Sequence, residues 1–349
     1  VPKRSDNLPG GASQTTAAAA LGEVARNGHL TLSERRILVL SAGRRVGLIE
    51  CFRRSAAALA MPLIVIACDM RPERSAACQI ADAWHAVPRC DAPDYVDTLL
   101  AIVKEFRIDL VVPTIDPELF ALAARRDEFA ALGARVHVSA PEVVSVARDK
   151  HLTAAVLAAG GIPVPLTRQL GDADPRLCFP MMMKPSGGSA SRGLQVIHRA
   201  ADIPRKTAEP MVLQQLLNGP EFTTNIFVDQ QGVLRSAVTH RRLSVRAGEV
   251  EKGRTDRDPR FWNLAEAIVA ALPGARGVLC FQTIDDEDAG LCVFEINARF
   301  GGGYPLAHEA GAPFTQWLLE ELCEIPCTAH DDWRGAVTML RYDAAVFQG

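Results

Sequence analysis

The chain has 349 residues, enough for two or three packed domains with real cores. Hydrophobic residues make up 48% and charged residues 23%, close to an ordinary globular protein. A formal net charge of only −3 gives no electrostatic reason to expect nucleic acid or an acidic membrane as a partner. No apolar run approaches the roughly 20 residues of a membrane helix. Thr16–Leu21 is shorter than the ~7–15-residue apolar region of a signal peptide. Nine scattered cysteines (Cys51, Cys68, Cys78, Cys90, Cys178, Cys280, Cys292, Cys323 and Cys327) form no CxxC pair. They are expected as small core residues and reduced thiols in a cytoplasmic protein.

Residues 1–33 are expected as a flexible N-terminal extension, with a short helix over Ala17–Arg26. From Arg36 the pattern changes. Ile37–Leu40 is a strand, followed by Ser41-Ala42-Gly43 and a helix running to Ala60. Leu63–Ala67 is a strand ending in Cys68-Asp69, and Tyr95–Phe106 a helix. Leu110–Val112 is a strand, Leu119–Leu132 a helix and Arg135–Val138 a strand. Strands alternating with helices over 34–145 predict a doubly wound parallel α/β domain, with short, uniformly apolar strands buried on both faces. Ligands of such sheets bind beyond the strands' carboxyl ends, here Ser41–Arg45, Asp69–Arg71 and Thr114–Glu118.

Pro141–Ala159 reads as one or two helices. Strands follow at Met181–Lys184, Leu194–Ile197, Met211–Leu213, Thr223–Val228 and Gly232–Val238. Leu264–Leu272 is a helix, Gly277–Ile284 and Leu291–Ile296 are strands joined by an acidic turn, and Phe314–Leu322 is a late helix. This second region, 146–330, is expected as an antiparallel α+β domain of two lobes, the smaller over about 175–240, with 331–349 as a C-terminal tail.

Four stretches carry chemistry. The strand ending in Lys184 delivers a cation to a loop with Gly187, Gly188 and Gly193, where backbone N–H groups can approach phosphate oxygens closely. In Phe294–Gly303, strand alternation puts Glu295 and Asn297 on one face and Phe294 and Ile296 in the core. With Gln282 from a neighbouring strand they offer three oxygen donors suited to Mg²⁺, which leaves its other positions to water and phosphate. Arg299 follows with the same parity. Val212–Thr223 runs from a strand through a hinge and a turn, whose backbone can read a base edge while Glu221 accepts from ribose hydroxyls. Thr239–Thr255 is dense in basic residues without interleaved aromatics, which favours a loop meeting phosphates or a carboxylate over a nucleic-acid surface.

In this order the residues resemble the ATP-grasp superfamily, closest to carboxylate–amine ligases that look like one half of the carbamoyl-phosphate synthase large subunit. The resemblance runs from about Arg36 to Leu322 and is most specific over Phe294–Pro305. It implies a pre-ATP-grasp α/β domain followed by a two-lobed ATP-grasp domain. It implies ATP contacts from Lys150, Lys184, Ser186, Gly187, Gly188 and Ser189, an adenine hinge at Gln214, Gln215 and Leu217, and a ribose acid at Glu221. Mg²⁺ would be held by Gln282, Glu295 and Asn297, with Arg299, Arg241 and Arg254 beside the reacting groups. The chain departs from the family where Gln214-Gln215 replaces a frequent acid, so that adenine contacts there rest on backbone groups. The activity implied is phosphorylation of a substrate carboxylate to an acyl phosphate and its coupling to an amine. Alternatives are a thiol or ammonia acceptor, or a nucleotide-binding module without turnover. Partners implied are small molecules only, with no nucleic acid and no membrane, and homodimerisation is a family tendency.

Overall fold

The computed structural model describes residues 32–347 apart from 173, 175 and 188–192. The helix expected at Ala17–Arg26 and nearly all of the N-terminal extension lie outside the described residues. The first part of the chain runs β1 (Arg35–Val39), α1 (Val46–Ala58), β2 (Leu63–Asp69), α2 (Ala76–Ile80), β3 (Ala83–Ala86), α3 (Tyr95–Phe106), β4 (Leu110–Val112), α4 (Asp116–Ala124), α5 (Arg126–Ala131) and β5 (Arg135–Val136). Its strands form one parallel sheet in the order β3-β2-β1-β4-β5. Successive β1 residues go to opposite faces: Ile37 and Val39 pack with Phe52 under α1, and Leu38 with Leu99 under α3. Burial on both faces is why the strand reads as an unbroken apolar run.

The edge strand β3 and the short helix α2 are not evident in the sequence. In β3 half-buried and exposed residues alternate, and Trp84 faces outward, so no apolar run marks it. The helix expected over Leu119–Leu132 is two helices, interrupted at Arg125.

Two further helices, α6 (Pro141–Arg148) and α7 (Lys150–Ala159), lead into β6 (Thr167–Gln169), β7 (Met181–Pro185), β8 (Gln195–Ile197) and β9 (Met211–Gln215). These four make a small antiparallel sheet, β6-β9-β7-β8, around Met181, Met183, Ile197 and Leu213. The chain then continues through β10 (Glu221–Val228), β11 (Leu234–Arg246), β12 (Glu249–Thr255), α8 (Pro259–Ala271), β13 (Gly277–Asp286), β14 (Gly290–Asn297), α9 (Tyr304–Glu309), α10 (Phe314–Leu322) and β15 (Thr338–Leu340). Its strands form a six-stranded antiparallel sheet, β14-β13-β10-β11-β12-β15.

Three boundaries differ from the sequence expectation. The small sheet ends at Gln215, not near 240, because the Asn218-Gly219-Pro220 turn hands the chain over to the large sheet. The turn is packed so tightly that a Cβ on Gly219 would lie 2.0 Å from the Asp285 carbonyl oxygen. Thr239–Thr255 is a paired hairpin of β11 and β12, not a loop. The segment expected as a C-terminal tail, 331–349, is not free over its described part, since Thr338–Leu340 pairs with β12. Among the described residues, no helix is long and apolar enough to cross a membrane.

The parallel sheet docks on the large antiparallel one through buried polar contacts. His137, just past β5, accepts a 2.8 Å hydrogen bond at Nε2 from the Val278 N–H of β13. Beyond β1 and β4, one fully buried carboxylate gathers the loops. Glu118 Oε1 accepts from the Thr114 and Ile115 N–H groups at 2.6 and 3.1 Å. Its Oε2 accepts from the Ser41 and Tyr95 hydroxyls at 2.7 and 2.9 Å. Burial pushes the Glu118 carboxyl above the ordinary range, and these four donors oppose that shift.

The two oxygens have different partners, and that gives a test. Hydroxyls can turn to accept from an amide nitrogen, whereas backbone N–H groups cannot. Glu118→Gln is expected to unfold within about 1 kcal/mol of wild type in denaturant, while Glu118→Leu, which strands two buried N–H groups, loses at least about 2 kcal/mol. Equal losses in the two variants would contradict this reading.

Candidate active site

Two adjoining cavities lie between the sheets. The first, of about 240 Å³, is lined by Lys150, Lys184, Gln214, Gln215, Leu217, Glu221, Gln282 and Glu295, with apolar walls from Met182, Leu194, Ile284 and Phe294. The second, of about 370 Å³, is lined by Arg44, Arg45, Asp116, His240, Arg242, Glu249, Asn297, Arg299 and Gly301–Gly303. Gln282 and Glu295 belong to both, so they form the wall the cavities share.

The lysines reach the first cavity from elements tied to each other. Asp149 caps α7, its Oδ1 accepting from the His151 and Leu152 N–H groups at 2.8 and 3.0 Å. The same oxygen accepts from Ser186 Oγ at 2.9 Å, and the Lys150 N–H donates to the Ser186 carbonyl at 3.0 Å. The start of α7 is thereby locked to the end of β7, which holds Lys184. Ser186 is committed to this lock and lines a separate groove with Asp149. Gly187 lies beside the Arg148 carbonyl, while Gly188 and Ser189 lie outside the described residues.

Burial pushes the Lys184 ammonium down to about 8, with Glu295 and Glu221 pulling up and Lys150 pushing further down. Lys150 is lowered by the same burial, which Glu295 and Asp116 oppose. The Glu221 carboxyl is raised by burial against the pull of Arg242. Cations and carboxylates in a poorly solvated space each perturb the others, the pattern of a site that awaits more charge.

The hinge glutamines turn their side chains away from the cavity centre. Gln214 Nε2 donates to Thr167 Oγ1 at 2.7 Å, and Gln215 Oε1 accepts from the Leu166 N–H at 3.3 Å. What the hinge offers a ligand is therefore backbone, with the flat apolar faces of Met182, Leu194 and Ile284 around it.

On the large sheet, pairing sets Gln282 opposite Glu295, Cys280 opposite Asn297 and Thr223 opposite both Gln282 and His240. Gln282, Glu295 and Asn297 therefore share a face. Phe294, expected in the core, does not go there. The pairing shifts between Gln282 and Thr283, where Thr283 meets Val293, and this bulge turns Phe294 into the first cavity. Its ring lies 5.2 Å from Lys184 Nζ.

The Gln282 amide is 3.0 Å from Arg242 Nη1 and 3.2 Å from Glu295 Oε2. With its oxygen towards Arg242, both contacts are hydrogen bonds. Turned over, two oxygens face each other, an arrangement that a cation between them stabilises. Among the described residues no cluster of three His, Cys, Asp or Glu exists that would cage a metal alone. One carboxylate with amide oxygens suits Mg²⁺, which takes its remaining ligands from phosphate and water.

Arg299 Nη2 lies 2.7 Å from Asp116 Oδ2 and 2.9 Å from Asn297 Oδ1. Burial works against its charge, but Asp116, Cys280 and Glu295 together outweigh burial and hold the guanidinium above its ordinary range. Arg241 and Arg254 are not in the site. They pair with each other across the hairpin on the exposed face, because alternation sends His240 and Arg242 inward and Arg241 outward. Arg242 stands where those two were expected, 3.2 Å from Glu221 Oε1. Strand parity applied to the hairpin would have found it. Asp116 had no local signal beyond its place at the carboxyl end of β4.

Residues 147–303 match the ATP-grasp domain family, and residues 37–137 match the family described as the PylC-like N-terminal domain. No curated protein matches the sequence. Among solved structures, the chain is similar to an ADP complex of N5-carboxyaminoimidazole ribonucleotide synthetase at TM-score 0.70 and 15% identity, covering 88% of this chain and 82% of that one. It is similar to the biotin carboxylase domain of 2-oxoglutarate carboxylase from Hydrogenobacter thermophilus, a complex with MgADP and bicarbonate, at TM-score 0.69 and 16% identity, covering 87% and 73%. It is also similar to L-amino acid ligase from Bacillus licheniformis at TM-score 0.65 and 18% identity, covering 87% and 78%. At these identities the likeness is one of fold, a parallel domain before antiparallel sheets. The two family matches follow each other in the order in which the sheets are built, and the chain carries an ATP-grasp domain behind a PylC-like N-terminal domain.

Proposed function

We propose that this chain is an ADP-forming ligase that phosphorylates a substrate carboxylate and joins the resulting acyl phosphate to an amine. The observation that carries the reading is the shared wall. One cavity is apolar with two lysines, the other is rich in arginine, and Gln282 and Glu295 separate them. That arrangement suits adenine and the inner phosphates of Mg–ATP on one side and a carboxylate on the other, with the γ-phosphorus between. The nucleotides and bicarbonate bound to the structural neighbours support it by analogy of fold.

In this reading the hinge backbone and the apolar walls hold the base, and Glu221 the ribose. Lys150 and Lys184 offset phosphate charge. Gln282, Glu295 and Asn297 would hold Mg²⁺, which supplies charge neutralisation at the β and γ phosphates. The carboxylate attacks the γ-phosphorus in line, the bond to the β-phosphate oxygen breaks, and ADP leaves. Arg299 and Arg242 lie on the carboxylate side of the wall, where guanidinium groups stabilise the transferring phosphoryl group and the acyl phosphate. The amine then attacks the acyl carbon, releasing phosphate and a proton.

The test is ADP release from Mg–ATP with pools of amino acids and small carboxylic acids, with product masses read from the same tubes. A product at the summed mass of two components less water, formed with ADP, is expected. AMP in place of ADP would sink the acyl-phosphate route. Within that assay, Glu295→Gln should abolish turnover. Arg242→Ala should lower kcat/KM about 100-fold, whereas Arg241→Ala and Arg254→Ala stay within about threefold of wild type.

A second prediction concerns pH. The Lys184 ammonium of the free protein titrates at about 8, and only its charged form offsets phosphate. Mg–ATP affinity should hold below that value and fall above it, approaching about tenfold per pH unit. Lys184→Arg, charged throughout, should flatten the profile in calorimetric titrations from pH 7 to 9.5. An equal slope in both proteins would show that Lys184 is not the group involved.

A further inference from the structure

The C-terminal strand does more than complete a sheet edge. β15 pairs with β12, and the Arg341 N–H continues the ladder to the Glu251 carbonyl at 3.0 Å. The Arg341 side chain then turns back toward the second cavity. Its Nη1 lies 3.1 Å from Glu249 Oε2, and its Nη2 donates to the Gly302 carbonyl. The other Glu249 oxygen lies 2.8 Å from Arg45 Nη1, while Arg45 Nη2 reaches the Thr114 carbonyl at 3.4 Å. The Glu249 carboxylate rests against the backbone of Gly302, where a Cβ would come within 2.7 Å of its carbon. Five segments distant in sequence thus meet around one carboxylate: the loops after β1 and β4, the tip of the β11–β12 hairpin, the glycine loop after β14, and β15.

A carboxylate can take a guanidinium in a two-bond fork, and it does so when both its oxygens are available. Here each oxygen of Glu249 has a different arginine. Two guanidinium groups against one carboxylate leave a net positive charge at the cavity wall, and Arg44 adds to it at the mouth. The pull of Arg45 and Arg341 outweighs burial and lowers the Glu249 carboxyl, which keeps it ionised.

We propose that Arg341 is a positioning residue for the second cavity: by occupying one oxygen of Glu249 and the Gly302 carbonyl, it restricts Glu249 to a single contact with Arg45 and leaves the Arg45 guanidinium able to meet a small organic anion. This rests on the reading that the second cavity takes the carboxylate substrate. Without Arg341, Glu249 closes on Arg45 as a fork, the wall loses one positive charge, and the glycine loop loses the donor to Gly302.

The experiment uses the full chain loaded with Mg–ADP and inorganic phosphate as the anion probe, followed by calorimetry. Arg341→Ala should weaken phosphate binding about tenfold or more, with Arg341→Lys recovering part of the loss. Mg–ADP affinity should not change, since the first cavity is lined by neither Arg341 nor Glu249, and this reports that the variants fold. In a Glu249→Ala background, Arg341→Ala should weaken phosphate binding clearly less than in wild type, since only its charge and its bond to Gly302 are then lost. In the turnover assay, Arg341→Ala should raise KM for the carboxylate while kcat stays within a few-fold. Phosphate binding that is absent in wild type, unchanged in Arg341→Ala, or equally weakened with and without Glu249 would overturn the proposal. Loss of phosphate affinity in a protein that releases no ADP from any pool would leave this inference standing and remove the ligase reading instead.

Discussion

The site depends on one buried ion pair. Arg299 ends the run that follows β14 in the antiparallel sheet, and Asp116 opens α4 of the parallel domain. Their 2.7 Å contact joins elements 183 residues apart in the chain. A buried pair is weak evidence for stability, because desolvating two charges offsets much of their attraction, yet removing one partner typically costs about 3–5 kcal/mol. Such a contact therefore fixes an arrangement more than it stabilises one. Arg299 also donates to Asn297 Oδ1 and the Phe300 carbonyl, while its buried Nε has no partner among the described residues. Two residues after Asp116, Glu118 secures the loop from beneath. The loops beyond β1 and β4 consequently face the glycine loop after β14 in a fixed register, and the second cavity is the space left between them.

Charge in the first cavity is arranged for a ligand rather than for the empty protein. Lys150 and Lys184 lie near Glu221 and Glu295 in a poorly solvated space, and each pair partly satisfies itself. In the proposed reading, a polyphosphate entering there would relieve the depression of both lysines. The Gln282 amide follows the same logic on the shared wall. Its orientation is set by hydrogen bonds to Arg242 and Glu295. Groups aimed beforehand at charge that arrives later need little reorganisation during the reaction.

Much of this was legible in the sequence wherever one element carries its own signal. The parallel domain could be read because buried strands are apolar without interruption. The shared face of Glu295 and Asn297 followed from alternation along one strand, and the pairing of β13 with β14 brings Gln282 to it. The reading failed where a second segment decides the outcome. The bulge that turns Phe294 outward exists only in the pairing of β13 with β14. Arg241 and Arg254 look as suitable as Arg242 until the hairpin register sends them to solvent. Asp116 becomes a site residue only through Arg299, and Arg341 only through Glu249. The reach of the small lobe was overestimated for the same reason: nothing local tells which sheet β10 joins, and only its pairing with β11 and β13 shows that the turn switches sheets.

The division of cations between the cavities fits the demands on each. Lysine is a compact charge whose pKa moves readily on burial, so its pKa can be depressed against an apolar wall and rise again beside phosphate. Arginine does not deprotonate, and its planar fork matches a carboxylate or a phosphoryl group in two bonds. The lysines stand among Met182, Leu194 and Phe294, where an obligatory charge would be costly to bury, and the arginines in a cavity that already contains Asp116 and Glu249 to balance them. Exchanging the two kinds would strand permanent charge in the apolar cavity and leave the polar one without directional donors. The wall at Gln282 and Glu295 is therefore a boundary between an apolar and a polar space, and in the proposed reaction a phosphoryl group crossing it would move from adaptable cations to fixed ones.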